Sequence, residues 1–352
     1  MGEISLARAL NQALRDALAH DPDVLVYGED VGRLGGVFRV TDGLASEFGS
    51  ERCFDSPIAE AGIVGTAVGM AMYGQRPVVE MQFDAFAYPA FEQIVSHVSK
   101  MRNRTRGSVE LPLVIRIPYG GGIGAVEHHA DSSEAYYAHT PGLRVVTPAT
   151  PADGYSMLRE AVEAPDPVIF LEPKRRYWNT AEVETPLRTE PMEQAVVRRA
   201  GEDVTLLAYG PMVATALETA EAANETGRSV EVIDLRSLSP FDDTTVAASV
   251  RRTGRALVVH EASTFGGYGA EVASRVTEAC FHYLEAPVLR VGGFDIPYPP
   301  PALEEHHLPH VDRILDAIDR LQWESTWVPA QSPPPERPDA TAQHPSRPEA
   351  RA

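Results

Sequence analysis

Short apolar runs alternate with amphipathic stretches along most of the chain. Over residues 5–20 the apolar positions follow the period of a helix, which ends at Asp21-Pro22, and a strand is predicted at 24–27. The same order of helix and strand recurs at 60–73 and 78–83, 89–105 and 112–117, 133–139 and 144–147, and 152–163 and 168–171. Because the apolar runs are short and continuous, they predict a parallel sheet that helices cover on both faces.

This pattern lapses over residues 174–203, which are rich in charged residues, Pro and Thr, and it starts again at Val204. The second series comprises strands at 204–207, 230–234, 256–259 and 288–291 and helices at 212–226, 242–252, 268–284 and 309–321. We therefore predict an α/β protein with two doubly wound domains, at 1–185 and 204–325, and a linker at 186–203. Residues 328–352 contain seven Pro and few apolar residues, so we predict a disordered tail there.

Composition excludes several classes of function. The 352 residues are 43% hydrophobic and 23% charged, which is typical of a globular protein, and the net charge of −19 argues against binding of nucleic acid. The sequence has no run that approaches the roughly 20 apolar residues of a membrane span and no apolar signal core at its start. The two cysteines, Cys53 and Cys280, form no disulfide framework, so we expect a cytoplasmic protein.

The most informative segment is DSPIAEAGIVGTAVGMAMYGQRPVVEMQFDAFAYPAFEQIV at 55–94. Glu60 begins a helix of small residues, whose glycines lower helix stability but allow another backbone or a flat ligand to come close. A strand and the loop QFDAFAYP at 82–89 follow, and the carboxyl ends of parallel strands are where open α/β sheets bind ligands. A carboxylate next to flat aromatic faces suits an aminopyrimidine ring. A glutamate in the first helical turn is also favoured by the helix dipole alone, and the aromatic residues also suit a core.

A second segment, PYGGGIGAVEHHADSSEAYYAHTPG at 118–142, contains a glycine loop (residues 120–124) followed by two adjacent histidines. So many glycines fit neither a helix nor a strand, and loops of this kind often carry function. The pair His128 and His129 lacks the spacing of a zinc-binding helix, so we predict no metal site there. The pattern at Gly266–Gly269 is not a full dinucleotide-binding fingerprint either.

Both segments resemble the β subunit of thiamine-diphosphate-dependent 2-oxo acid dehydrogenases, in particular the branched-chain type. The resemblance extends from residue 1 to about residue 325. It implies a transketolase-like pyrimidine-binding domain followed by a transketolase C-terminal domain. It also implies oxidative decarboxylation of branched-chain 2-oxo acids, with transfer of the acyl group to lipoyl-lysine of an acyltransferase core. The alternatives are a pyruvate or acetoin dehydrogenase β subunit, a transketolase-like enzyme that is active by itself, and a scaffold without catalytic activity.

The resemblance assigns roles to particular residues. Glu60 is the catalytic carboxylate, which hydrogen-bonds the aminopyrimidine ring and shifts it to the imino tautomer. The residues expected to bind the cofactor are Glu29, Ile58, Ala59, Glu60, Gln82, Phe86, Ala87, Tyr88 and Pro89. Those expected to bind substrate are Phe83, Asp84, Ala85, Phe86 and His129.

His129 matches the active-site histidine of the family and is expected to deliver protons during acyl transfer. Relatives usually have Ser-Gln-Ser after this histidine, whereas this chain has Ala130-Asp131-Ser132. We therefore expect Asp131 to raise the pKa of His129.

One expected motif is missing. Thiamine enzymes hold the diphosphate and its metal ion through Gly-Asp-Gly followed farther along by Asn, but the nearest match here is Thr41-Asp42-Gly43 with no Asn before Asn103. We therefore expect this chain to bind only the pyrimidine half of thiamine diphosphate. An α subunit would hold the diphosphate and Mg in a two-α, two-β tetramer.

Overall fold

The computed structural model describes residues 2–183 and 190–321. The predicted tail at 328–352 and residues 186–189 of the predicted linker lie outside the described residues. No helix among the described residues is long and apolar enough to cross a membrane.

The first domain contains the predicted alternation of helices and parallel strands. Its strands are β1 (Gly2–Ser5), β2 (Val24–Gly28), β3 (Cys53–Asp55), β4 (Arg76–Glu80), β5 (Val114–Tyr119), β6 (Arg144–Val146), β7 (Val168–Pro173) and β8 (Thr180–Val183). Its α-helices are α1 (Leu6–His20), α2 (Leu44–Phe48), α3 (Glu60–Met72), α4 (Phe91–Gln93), α5 (Met101–Arg104), α6 (Glu134–Ala138) and α7 (Pro151–Glu163).

The second domain is a smaller α/β unit. Its strands are β9 (Val196–Arg199), β10 (Val204–Ala208), β11 (Val230–Asp234), β12 (Ser237–Ser239), β13 (Ala256–Ser263) and β14 (Leu289–Gly293). Its helices are α8 (Met212–Glu225), α9 (Asp243–Thr253), α10 (Tyr268–Cys280), α11 (Glu304–His307) and α12 (Val311–Asp319).

Two main sheets organise the molecule. The seven-stranded sheet has the order β12-β6-β7-β5-β4-β2-β3, and the five-stranded sheet has the order β14-β13-β10-β11-β9. Strand β12 crosses from the second domain to pair antiparallel with β6, and β9 pairs antiparallel with β11. The second sheet therefore begins at Val196, inside the segment predicted as a linker.

The predicted helix at 89–105 is instead a series of short turns. A 3-10 turn at Ala85–Ala90 leads into α4, a π turn at Ile94–Val98 and α5. The backbone N–H of Ser99 donates to the carbonyl of Ile94, and its hydroxyl donates to the carbonyl of Val95. The π turn also meets Gly142, where a Cβ atom would lie 2.0 Å from the carbonyl oxygen of Ser99. Close backbone contact thus accompanies a local geometry that periodicity did not indicate.

Helices α1 and α7 pack against each other on one face of the first sheet. The hydroxyl of Ser5 caps α1, and that of Thr150 caps α7 with Pro151 at its first turn. Gly154 allows close contact, since a Cβ atom there would lie 2.4 Å from the Leu6 side chain. Burial of each leucine along α1 contributes about 1.5–3 kcal/mol.

A buried ion-pair network joins the centre of the first sheet. The guanidinium of Arg116 on β5 lies 2.6 Å from Glu80 on β4 and 2.6 Å from Glu172 on β7. Tyr177 donates its hydroxyl to Glu172. Burial alone would lower the pKa of Arg116, but the carboxylates of Glu172 and Glu80 outweigh it and raise that pKa. The network fixes the carboxyl ends of three adjacent strands.

The two domains also share buried polar contacts. Arg198 on β9 pairs with Asp153 on α7 and with Asp234 on β11. Elsewhere in the junction the hydroxyl of Tyr209 donates to Glu134 at 2.7 Å. Burial raises the pKa of Glu134 to about 7, although the hydrogen bond from Tyr209 favours the ionised form.

The substitution Glu134→Gln is expected to remove a dependence of stability on pH. The pKa of Glu134 rises from 4.5 to about 7 on folding. Its contribution to the free energy of unfolding is therefore fully present below pH 4.5 and is lost as pH rises through 7. That loss amounts to roughly 3 kcal/mol of unfolding free energy. Denaturant unfolding at pH 5 and pH 8 should show the variant gaining stability relative to the wild type at pH 8. Glu110→Gln, at an exposed position, is the control; parallel pH dependence of wild type and Glu134→Gln contradicts the assignment.

Candidate active site

The carboxyl ends of β2, β4 and β5 lie along one edge of the first sheet and bring the predicted site residues together. Glu29 follows β2 and is only 8% exposed. Its Oε1 atom is buried and has no hydrogen-bond partner among the described residues. Burial raises the pKa of Glu29, and the nearby charges of Glu60 and Asp30 raise it further. The two glutamates selected from sequence therefore interact electrostatically.

Glu60 is the first residue of α3 and is half-buried. The preceding Ile58 is 85% exposed, and Ala59 is also exposed. Neither apolar side chain belongs to the core that the described residues form.

Helix α3 has two different faces. Ile63, Val64 and Ala67 are buried against the sheet. The opposite face carries Gly62 and Gly69, and a Cβ atom on Gly69 would meet nothing within 4 Å. The glycines therefore leave an open surface beside Glu60, and packing among residues 2–183 and 190–321 does not account for them.

The loop after β4 lies close to Glu29. Gln82 donates its side-chain amide to Asp30 at 2.9 Å. In the 3-10 turn that follows, Ala85 and Phe86 are half-buried, while Tyr88 and Pro89 are exposed. Ala87 is fully buried in the apolar core, so its side chain does not face the site as predicted.

Asp84 also differs from the prediction that it binds substrate. Its side chain is fully buried, and its oxygens accept hydrogen bonds from the backbone N–H and the hydroxyl of Ser133. Burial raises the pKa of Asp84 despite these bonds and the nearby charge of Lys174. Asp84 therefore holds the segment after the histidines against the loop after β4, and does not face a ligand.

Three rings form the centre of the candidate site. The His129 ring lies 4.4 Å from that of Phe83 and 5.2 Å from that of Phe86, in edge-to-face arrangements. The two phenylalanines are themselves 5.4 Å apart, centre to centre. His129 is thus held by aromatic contacts, and its buried Nδ1 atom has no hydrogen-bond partner among the described residues.

The expectation that Asp131 raises the pKa of His129 is wrong. Burial lowers the pKa of His129, and the charges of His128 and Lys174 lower it further. Asp131 instead accepts a hydrogen bond from the hydroxyl of Tyr88 at 3.0 Å. Asp131 therefore links its own segment to the loop after β4, and it does not favour the protonated form of His129.

Lys174 was not selected from the sequence. It lies directly after β7, is 1% exposed, and its ammonium group is 5.8 Å from the centre of the Phe83 ring. Burial lowers its pKa, opposed by Asp84 and Glu261. The sequence could have indicated Lys174 by its place at the carboxyl end of a buried strand, at the same edge as the other site residues.

Among the described residues, no group of three or more His, Cys, Asp or Glu side chains is placed to hold a metal ion.

Two family models match most of the chain. The model described as "Transketolase, pyrimidine binding domain" matches residues 2–179, and "Transketolase, C-terminal domain" matches residues 193–314. Among solved structures, one titled "Split gene transketolase, inactive beta4 tetramer" is similar with a TM-score of 0.74 and 27% identity. The match covers 90% of this chain and 98% of that chain.

Similar curated proteins are β subunits of dehydrogenases. The chain is 55% identical over 319 residues to 3-methyl-2-oxobutanoate dehydrogenase subunit beta of Mycobacterium tuberculosis, covering 90% of this chain and 92% of that one. It is 56% identical over 317 residues to pyruvate dehydrogenase E1 component subunit beta of Leifsonia xyli, covering 90% and 94%. It is 44% identical to 2-oxoisovalerate dehydrogenase subunit beta of Pseudomonas aeruginosa, covering 90% and 95%.

Proposed function

The chain belongs to the transketolase-like β subunits of the thiamine-dependent 2-oxo acid dehydrogenases, and from this premise we propose that it supplies the pyrimidine half of a thiamine diphosphate site. The observation that carries the proposal is the placement of Glu29 and Glu60 at one edge of the sheet, near the loop that brings Phe86 against His129.

The residues of this edge fit an aminopyrimidine. The buried Oε1 atom of Glu29 has no hydrogen-bond partner within the described part of the chain, and such an atom is available for a ligand. Phe86 is half-buried and offers part of its ring for contact with a flat ligand. Ile58, Ala59, Gln82, Tyr88 and Pro89 complete the proposed pyrimidine contacts. When bound, thiamine diphosphate supplies a thiazolium that stabilises the carbanion left by decarboxylation.

Two neighbouring carboxylates suit the proposed proton chemistry. Burial, with the neighbouring charge of Glu60, raises the pKa of Glu29 and favours its protonated form. We assign to Glu60 the hydrogen bond to the ring nitrogen of the aminopyrimidine, which promotes the imino tautomer. Glu29 would stay beside it.

His129 is proposed to act at the substrate side, where Phe83 and Phe86 hold its ring. It would deliver a proton during reductive acylation. Phe83, Ala85 and Phe86 would form the wall for the acyl chain. In the overall reaction a 2-oxo acid loses carbon dioxide, its acyl group forms a thioester with the lipoyl group, and the lipoyl disulfide is reduced.

We propose a branched-chain 2-oxo acid as substrate, which makes the assembled enzyme a 2-oxoisovalerate dehydrogenase that transfers the acyl group to a lipoyl-lysine of the acyltransferase core. Support comes from relatives named for 3-methyl-2-oxobutanoate and 2-oxoisovalerate. The relative named for pyruvate, at 56% identity, supports the second candidate. Relative kcat/KM values for 3-methyl-2-oxobutanoate and pyruvate separate the two.

An α subunit is the proposed source of the diphosphate and Mg contacts, in a two-α, two-β tetramer. The open glycine face of α3 and the exposed Ile58, Met72 and Tyr73 near it form an apolar surface suited to a partner chain. Cys53 and Cys280 are buried and unpaired, which supports the proposed cytoplasmic location.

The substitution Glu60→Gln is expected to slow turnover roughly 10²–10⁴-fold once the chain is reconstituted with its α subunit, because a positioned proton donor is lost. Binding of thiamine diphosphate should persist, since the diphosphate is held by the other subunit. Glu271→Gln is the matched control, because it also removes a carboxylate from the first turn of a helix, α10. Near-normal turnover of Glu60→Gln, or an equal loss in Glu271→Gln, contradicts the assignment.

The substitution His129→Ala is expected to impair lipoyl acylation more than decarboxylation measured with an artificial electron acceptor, and His128→Ala should be milder in both assays. Because the pKa of His129 is lowered, the protonated form that donates is lost as pH rises through a value below 6.5. The acylation rate of the wild type should therefore fall over that range. Equal effects of the two substitutions would show that the wrong histidine has been assigned.

A further inference from the structure

The glycine loop (residues 120–124) is held by a carboxylate of the second domain. Glu304 is the first residue of α11. One of its oxygens accepts a hydrogen bond from the backbone N–H of Gly122 at 2.8 Å, and the other accepts one from that of Gly124 at 3.0 Å. The hydroxyl of Tyr298 donates to Glu304 at 2.6 Å. Glu304 is 8% exposed, whereas Gly122 and Gly124 are exposed, so these bonds are partly buried.

A second carboxylate holds the start of the same loop. Glu261 lies near the end of β13. It accepts a hydrogen bond from the backbone N–H of Gly121 at 3.0 Å and forms an ion pair with Arg175 at 2.7 Å. The backbone of three loop residues is therefore bound by two acidic side chains from the other domain. Charge-assisted bonds of this kind are stronger than those between neutral groups.

The glycines of the loop fit this arrangement. Gly120, Gly122 and Gly124 all have positive φ, at 82°, 81° and 68°. A Cβ atom on Gly121 would lie 1.9 Å from the hydroxyl of Tyr298, and one on Gly120 would lie 2.6 Å from Glu261. The glycines thus allow the backbone to reach the carboxylates.

The loop leads directly to His129. Gly124 is followed after two residues by the 3-10 turn Glu127–His129, and the N–H of Gly120 donates to the carbonyl of Asp131 at 2.8 Å. The segment from 120 to 131 is therefore closed at its base, and Glu304 holds it near its middle. Displacement of the loop at Gly122 and Gly124 would move the turn that carries the histidine.

We propose that Glu304 is a positioning residue that fixes His129 against Phe83 and Phe86 by holding the glycine loop; this rests on the role of His129 proposed above. The second domain thereby has a direct part in the active site. Neither Glu304 nor Tyr298 contacts the three rings, so their effect on the reaction passes through the loop.

The test compares Glu304→Gln with Glu305→Gln in the full chain. Glutamine offers one acceptor oxygen where glutamate offers two, so the bond from Gly122 or the bond from Gly124 is lost. The N–H of Gly122 also donates to the hydroxyl of Tyr298 at 3.2 Å. Glu305 follows in the same helix and is exposed, so its substitution makes the same change of charge without contact to the loop. Tyr298→Phe, which removes one hydroxyl, is a second variant should Glu304→Gln fold poorly.

Two readouts do not depend on activity. Hydrogen exchange of the peptide spanning 120–126 should be roughly tenfold faster in Glu304→Gln and faster in Tyr298→Phe, because loop hydrogen bonds are lost, and unchanged in Glu305→Gln. The pH dependence of modification of His129 by diethyl pyrocarbonate, read by mass spectrometry, gives its pKa. Burial lowers that pKa, so release of the loop should raise it. Loss of the negative charge at position 304 without any movement would lower the pKa of His129. A rise in that pKa therefore identifies movement of the His129 ring.

In the enzyme reconstituted with an α subunit, Glu304→Gln should lower lipoyl acylation roughly tenfold more than decarboxylation. Unchanged exchange and an unchanged pKa of His129 would overturn the proposal, as would an equal fall in both reaction steps. If the wild-type assembly catalyses neither reaction, the proposed function fails, while exchange and modification still decide whether Glu304 positions the histidine.

Discussion

The buried pairing of Arg116 with Glu80 and Glu172 is the interaction on which the site depends. It joins the carboxyl ends of β4, β5 and β7, and the chain leaves these strands as the loop at 82–89, the glycine loop and Lys174. Removing one partner of a buried ion pair costs about 3–5 kcal/mol, because a charge is left without compensation. Every group that surrounds His129 is therefore supported by strands that this network holds in register.

The site built on these strands is open on one side. Ile63, Val64 and Ala67 bury one face of α3, while its glycine face and Ile58 remain exposed beside Glu60. Acidic side chains of the second domain, by contrast, hold the glycine loop through hydrogen bonds. The open glycine face beside Glu60 fits a subunit that completes its site with a partner.

Sequence predicted most of the fold, because continuous apolar strands between amphipathic helices have few other solutions. It missed β12, since Ser237–Ser239 is too short and polar to indicate a strand. Within the site it placed Glu29 and the loop at 82–89 after strands, where the structure has them, and the roles assigned to these residues stay predictions. It misassigned Asp84 and Asp131, because their partners Ser133 and Tyr88 lie 49 and 43 residues away and contacts at that distance leave no local pattern.

The split of the cofactor site between two chains is tested most directly by titrating purified α subunit into this chain while measuring thiamine diphosphate binding by calorimetry and turnover of 3-methyl-2-oxobutanoate. We expect weak cofactor binding and no turnover for the chain alone, with binding and activity both rising to saturation at one α subunit per β subunit. Tight binding and substantial turnover by the chain alone would contradict a split site.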